Sequence, residues 1–85
     1  MNTITDVKSW IRNYIADVLQ ADVSAIKDDV DFVKLGLDSS SAAALVGDLE
    51  DWMGIEIDTT LIYEHTSIET LSEKLVEAQS EVHSS

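Results

Sequence analysis

An all-α fold, a small antiparallel bundle of three main helices with one short helix added, is what this 85-residue sequence predicts. Three observations carry the prediction. Apolar residues recur at spacings of three and four over three separate stretches, each behind a residue able to cap a helix. No proline interrupts any of them. The one segment that alternates as a strand would, Ile55-Glu56-Ile57-Asp58, has no second segment to pair with and is read as an extended linker.

The first helix is expected to start behind Thr3 or Thr5 and to run to about Gln20, with Asp6 three residues after Thr3 in a variant of the capping box. Val7, Ile11, Tyr14, Ile15, Val18 and Leu19 fall on one face, while Lys8, Arg12 and Asp17 point elsewhere. Trp10 lies beside the stripe, at the edge of the core or under the following loop. From Ala21 to Asp38 the periodicity fails, and the segment reads as a long ordered loop with a short turn near Ser24 to Lys27 and with Phe32 and Leu35 as its apolar pins. A second helix is expected from Asp38 or Ser39 to Met53, stopped by Gly54, with Ala42, Leu45, Val46, Leu49, Trp52 and Met53 inward. Asp48, Glu50 and Asp51 make much of its outer face acidic. A short helix follows at about Thr59 to Glu64. The last helix opens on a capping box of Thr66 and Glu69 and repeats Ile68, Leu71, Leu75 and Val76. The chain is then one folded domain over residues 1–78 with a polar, flexible C-terminal tail over 79–85. The predicted core is Val7, Ile11, Ile15, Val18, Leu45, Leu49, Ile68, Leu71 and Leu75.

Composition removes several functional classes. Seventeen acidic against five basic side chains give a formal charge of −12, which repels nucleic acid and anionic lipid and favours partners with basic patches. There is no cysteine, so disulfides and thiolate metal sites are excluded. No apolar run approaches the roughly 20 residues that span a bilayer, and Met1-Asn2-Thr3-Ile4-Thr5-Asp6 lacks the order of a signal peptide, so a cytoplasmic, monomeric protein with no membrane partner is expected. Met1 so close to the first helix is the start expected of a discrete protein or of a cleanly excised synthase domain.

Chemistry concentrates in Phe32-Val33-Lys34-Leu35-Gly36-Leu37-Asp38-Ser39, where an apolar loop turns into a helix and sets a serine at its N-terminus. Unsatisfied amides and the helix dipole favour negative charge there, so a phosphate on Ser39 is tolerated. Taken alone, Asp38 or Ser39 is an ordinary N-cap. The run Leu35-Gly36-Leu37-Asp38-Ser39, however, resembles the phosphopantetheine attachment motif of acyl carrier proteins. The order of a long helix, a long loop, this motif, an acidic helix ending near Gly54, then Thr60-Leu61-Ile62-Tyr63 and a final helix is similar to that family from about residue 5 to 77.

The resemblance implies that Ser39 accepts 4′-phosphopantetheine from coenzyme A in the active site of a separate magnesium-dependent phosphopantetheinyl transferase, and that Asp38 helps to present it. It further implies that the arm's thiol carries an acyl group as a thioester, that the chain catalyses nothing itself, and that Leu37, Ser40, Asp48, Glu50 and Asp51 meet basic docking surfaces of acyl-loading and acyl-processing enzymes. Two positions depart from the family pattern. Ser40 stands where a bulky apolar residue is usual, which removes an apolar partner contact, and His65-Thr66 replaces a frequent Pro-Thr. Leu37 before Asp38 favours an acyl over a peptidyl carrier, and Tyr63 with Gly54-Ile55-Glu56-Ile57 resembles carriers of polyketide and related specialised pathways more than the housekeeping fatty-acid carrier.

The rival readings are a serine hydrolase, a metal protein and an unmodified helical adaptor. A hydrolase needs a base beside Ser39, and only His65 and His83 are available. Asp28, Asp29 and Asp31 lack the spacing of a calcium loop and read as a solvated cluster. An adaptor would use the acidic second helix, with Trp10, Trp52 and Met53 as contacts unless they close the core, and would tolerate Ser39→Ala.

Overall fold

The structure is a computed structural model describing residues 2–84, with side chains described through residue 81. Three long helices, α1 (Ile4–Leu19), α3 (Ser39–Met53) and α5 (Ile68–Ser84), frame the molecule, and two single turns, α2 (Phe32–Leu35) and α4 (Leu61–Glu64), lie in the connections. A 3-10 turn at Val23–Ala25 falls where the sequence shows a short turn. Within the described residues, no helix is long and apolar enough to cross a membrane.

Thr3 caps α1 through the expected reciprocal pair: its hydroxyl accepts from the Asp6 N–H, and the Asp6 carboxylate accepts from the Thr3 N–H, each at 3.2 Å. Asp38 caps α3, accepting from the Ser41 N–H at 2.8 Å. Gly54 ends α3 at φ +71°, and Gly36 ends α2 at φ +102°, conformations that cost an L side chain on the order of 1–2 kcal/mol. At Gly36 the nearest atom to an added Cβ is Leu19 Cδ2 at 3.7 Å, so backbone geometry and not space reserves that position for glycine.

Three details at one end fix the helix directions. Asn2, ahead of α1, donates its N–H to Gln79 Oε1 at 2.9 Å, and Gln79 Nε2 donates to Asn2 Oδ1 at 3.0 Å and to the Met53 carbonyl at 2.9 Å. The start of α1 and the ends of α3 and α5 therefore meet at one pole. So α1 runs antiparallel to both, α3 and α5 run in the same sense, and Ser39 lies at the other pole. This also moves the expected boundary after Ala78. Gln79 is 2 % exposed and α5 continues to Ser84, because an amide with three internal partners is as well served inside as in water.

Eight of the nine predicted core residues are at most 1 % exposed. Val18 is the exception, at 40 %. It keeps the phase of the α1 stripe but falls in the last turn, and periodicity gives a direction without guaranteeing a neighbour. The connections fill the rest of the core: Ile26, Phe32, Leu37, Ile55, Ile57 and Ile62 are all buried. Ile55 and Ile57 face inward while Glu56 and Asp58 face water, so the alternation is real although the segment forms no strand. Trp10 stacks on Tyr14 and on Trp52, both at 5.3 Å between ring centroids, which joins α1 to α3 by a three-ring pile with Trp52 outermost.

Candidate functional site

The loop that delivers Ser39 is laced to the start of α5. The Phe32 N–H donates to the Thr66 carbonyl at 2.8 Å, the Thr66 hydroxyl donates to Asp31 Oδ1 at 3.0 Å, and Asp31 and Ser67 form an isolated antiparallel bridge. Further back, Arg12 pairs with Asp28 at 2.6 Å, and the Asp28 carbonyl accepts from the Glu69 N–H at 3.0 Å. The aspartates read as a solvated cluster are thus partly structural: Asp28 and Asp31 tie the loop to α1 and α5. Thr66 is likewise not the cap of the last helix. That role falls to Ser67, whose hydroxyl accepts from the Thr70 N–H at 3.3 Å while the Ser67 N–H donates to Thr70 Oγ1 at 3.4 Å. The capping box exists one residue later than expected, with Thr70 in place of an acid.

From this clamped base the chain passes through α2, which the sequence hid inside a loop, turns at Gly36, buries Leu37 and starts α3. Ser39 is the first residue of α3, exposed, with Asp38 exposed before it and Ser40 exposed after it. The Asp38 carboxyl is held below its usual value, first by the Ser41 N–H, then by the Ser41 hydroxyl and the Ser40 N–H. Asp38 is therefore an anion with a fixed direction, and Ser39 beside it is exposed in the first turn of α3.

Ser39 also forms part of the rim of an apolar cleft of about 90 Å³. Phe32, Leu37, Ala42 and Ile62 supply its apolar lining, Asp38 and Thr66 add polar groups beside Ser39, and Val33 and Tyr63, 82 % and 62 % exposed, line it from α2 and α4. His65 is absent from this lining and instead ends α4, donating its N–H to the Leu61 carbonyl at 2.9 Å. The side chain of His83 lies outside the described residues.

Of the residues expected to meet partners, Ser40, Asp48 and Asp51 are exposed. Leu37 is not: at 7 % exposure its side chain belongs to the core, where its apolar bulk is worth more than on the surface. Glu50 is partly buried and accepts the Ile57 N–H at 2.9 Å, so it anchors the linker after α3. Asp48 sits by the Tyr14 phenol, whose pKa is pushed up first by burial and then by hydrogen bonding to that carboxylate. Between Leu35 and Glu73 the sequence has no Lys or Arg, while Asp38, Asp48, Glu50, Asp51, Glu56, Asp58, Glu64 and Glu69 fall there, so the acidic charge is concentrated on the part of the chain that includes Ser39 and α3.

An exposed serine thus opens α3 on an acidic stretch of the chain, with a largely apolar cleft at its side. Residues 9–75 match the phosphopantetheine attachment site family, and the chain belongs to that family of carrier proteins. Its members bear covalently attached 4′-phosphopantetheine, receive it from a separate transferase and are not themselves catalysts. The chain is 45% identical to the acyl carrier protein TtuC of Teredinibacter turnerae over 84% of its own length and 82% of that protein's. It is 28% identical to polyketide synthase PksL of Bacillus subtilis over 95% of its length, but spans only 2% of that synthase. Among solved structures, a free-standing peptidyl carrier protein from Acinetobacter baumannii superposes with a TM-score of 0.83 at 32% identity, covering 88% of this chain and 94% of that one.

Proposed function

We propose that Ser39 carries the phosphopantetheine arm and that the chain shuttles acyl groups, as thioesters on the arm's thiol, between enzymes of a polyketide or related specialised-metabolite pathway. The observation that carries this reading is the placement of Ser39 as an exposed first residue of α3, on the motif Leu35-Gly36-Leu37-Asp38-Ser39. In the transferase's active site the Ser39 hydroxyl oxygen bonds to the coenzyme A phosphorus that bears pantetheine. The diphosphate P–O bond breaks, adenosine 3′,5′-bisphosphate leaves, and the hydroxyl proton passes to a base of the transferase. Asp38, fixed by Ser41, keeps the first turn of α3 formed so that the nucleophile is presented on ordered backbone. Once attached, the arm supplies the thiol that a chain without cysteine lacks.

Similarity to TtuC and the Leu37-Asp38 pair support an acyl over a peptidyl cargo. Docking relies on the acidic face. Asp48 and Asp51 draw basic partner surfaces into fast, weak, salt-sensitive encounters within a Debye length of about 10 Å at 0.1 M salt. Incubation with a broad-specificity phosphopantetheinyl transferase, magnesium and coenzyme A should add one arm to the intact mass, and Ser39→Ala should abolish the gain. No gain with a transferase active on a control carrier would favour the unmodified adaptor.

A further inference from the structure

We infer that the stacked rings of Trp10, Tyr14 and Trp52, with the carboxylates around them, form an arginine-selective docking face, a partner's guanidinium lying on Trp52 with its N–H groups turned to Asp48 or Asp51. The inference rests on the docking role proposed for those two aspartates and not on what Ser39 carries. It starts from the rings: Trp10 stacks with Tyr14 and with Trp52 at 5.3 Å between centroids, 21° and 15° from parallel. Trp10 and Tyr14 are half-buried, whereas Trp52 stays 37 % exposed and has Trp10 as its one ring contact among the described residues. Met53, the next residue, is 4 % exposed, so the core at this turn is closed by Met53 and Trp52 is left on the surface.

Charge names the occupant. Asp48 lies one turn before Trp52 on α3, Asp51 directly before it, and both are exposed. From α1, Asp17 acts on the Tyr14 phenol together with Asp48, so carboxylates border the rings from both helices. No Lys or Arg lies on α3, and Lys8 and Arg12 are each two residues from Trp10, about 200° round α1, with Arg12 already held by Asp28. The face has no cation of its own. A planar guanidinium covers an aromatic ring and forks to a carboxylate at once, which a compact, strongly hydrated ammonium does not. A second copy of the chain would set aspartates against aspartates, and anionic lipid or nucleic acid is repelled in the same way. The rise along α3 from Ser39 to Trp52 is about 20 Å, so an arginine held here does not cover the first turn of the helix.

The test titrates the full, isotope-labelled chain with hexa-arginine and with hexalysine, probes of equal charge, at one salt concentration. Hexa-arginine should bind about two- to fivefold more tightly, the size of one exposed cation–π contact. The chain has two tryptophans, and the Trp52 indole N–H signal should shift further with hexa-arginine than with hexalysine. Trp52→Leu, its fold checked by amide spectra, should remove the preference while charge-driven binding of both peptides remains, and Trp52→Phe, which keeps a ring, should retain part of it. Equal affinities for the native chain, or a preference that survives Trp52→Leu, overturns the inference and leaves charge-based docking intact. If Trp52→Leu does not fold, the native chain decides, and an indole shift no greater with hexa-arginine overturns the inference. Failure of both peptides to bind overturns the docking role of Asp48 and Asp51 as well.

Discussion

Replacing Gln79 by alanine probes the pole opposite Ser39, where the sequence placed a loose tail and the structure places a closed polar latch. Gln79 is 2 % exposed and makes bonds of 2.9, 3.0 and 2.9 Å with the Asn2 N–H, Asn2 Oδ1 and the Met53 carbonyl. Hydrogen bonds of this kind contribute about 0.5–1.5 kcal/mol each, and a buried carbonyl left without a donor costs about 1–3 kcal/mol. Asn2 is partly accessible and recovers some of its loss from water. The expected destabilisation is therefore about 3 kcal/mol. In a domain of this size each kcal/mol lowers Tm by about 4–8 °C, so the transition should fall by roughly 12–24 °C. Thermal unfolding of the full chain, followed by circular dichroism, reads the effect directly. Asn2→Ala should lower Tm by less, since it leaves the Met53 carbonyl satisfied, and the double variant should show coupling between the two. The 15 residues of α3 separate the latch from Ser39 by about 22 Å, so the rate of arm loading well below Tm should be unchanged. A Tm drop under about 4 °C for Gln79→Ala would refute the latch.

The remaining predictions concern the acidic face, the core and pH. Asp48→Asn with Asp51→Asn should slow transfer to basic partners and flatten its dependence on salt while leaving stability nearly unchanged. Glu50→Ala should instead cost about 1–2 kcal/mol in urea unfolding through loss of the Ile57 N–H partner; the reverse pattern would relocate docking to Glu50. Ser72→Ala should stabilise the chain by about 1 kcal/mol, because the Ser72 hydroxyl is fully buried and has no hydrogen-bond partner among the described residues; a loss of stability would contradict this. Asp38 has its folded pKa below the usual 3.8, so its stabilising contribution is present above that value and is lost as pH falls through the folded pKa. A carboxyl-carbon NMR titration should place its midpoint below 3.8, and Asp38→Asn should remove its share of the acid-side loss of stability. A midpoint at or above 3.8 would contradict the cap geometry.

The long helices were legible because local signals and tertiary packing agree in them. Thr3 and Asp6 cap α1 as their spacing says, and Gly54 ends α3 where the apolar stripe ends. α2 was hidden because four residues are too few to show a helical period, and its first N–H is satisfied from Thr66, far along the chain. Thr66 and Ser67 are both competent caps, and the choice between them is made by Asp31, which takes the Thr66 hydroxyl. Leu37 and Glu50 lie among acids and small polar residues that suggest surface, yet packing and one backbone N–H draw them inward. Ser39 was legible as a candidate from its motif. The cleft beside it was not, since its lining comes from α2, α3 and α4, which meet only in the fold.

Mapping the modified residue tests most directly the proposal that Ser39, and neither neighbouring serine, bears the arm. Lys34 and Lys74 bracket a stretch free of Lys and Arg, so trypsin releases Ser39, Ser40 and Ser41 together in the peptide Leu35 to Lys74. Electron-based fragmentation of that peptide from the loaded chain assigns the added mass to one serine. A mass step between Asp38 and Ser40 is expected, which places the whole arm on Ser39; a step at Ser40 or Ser41 would overturn that assignment.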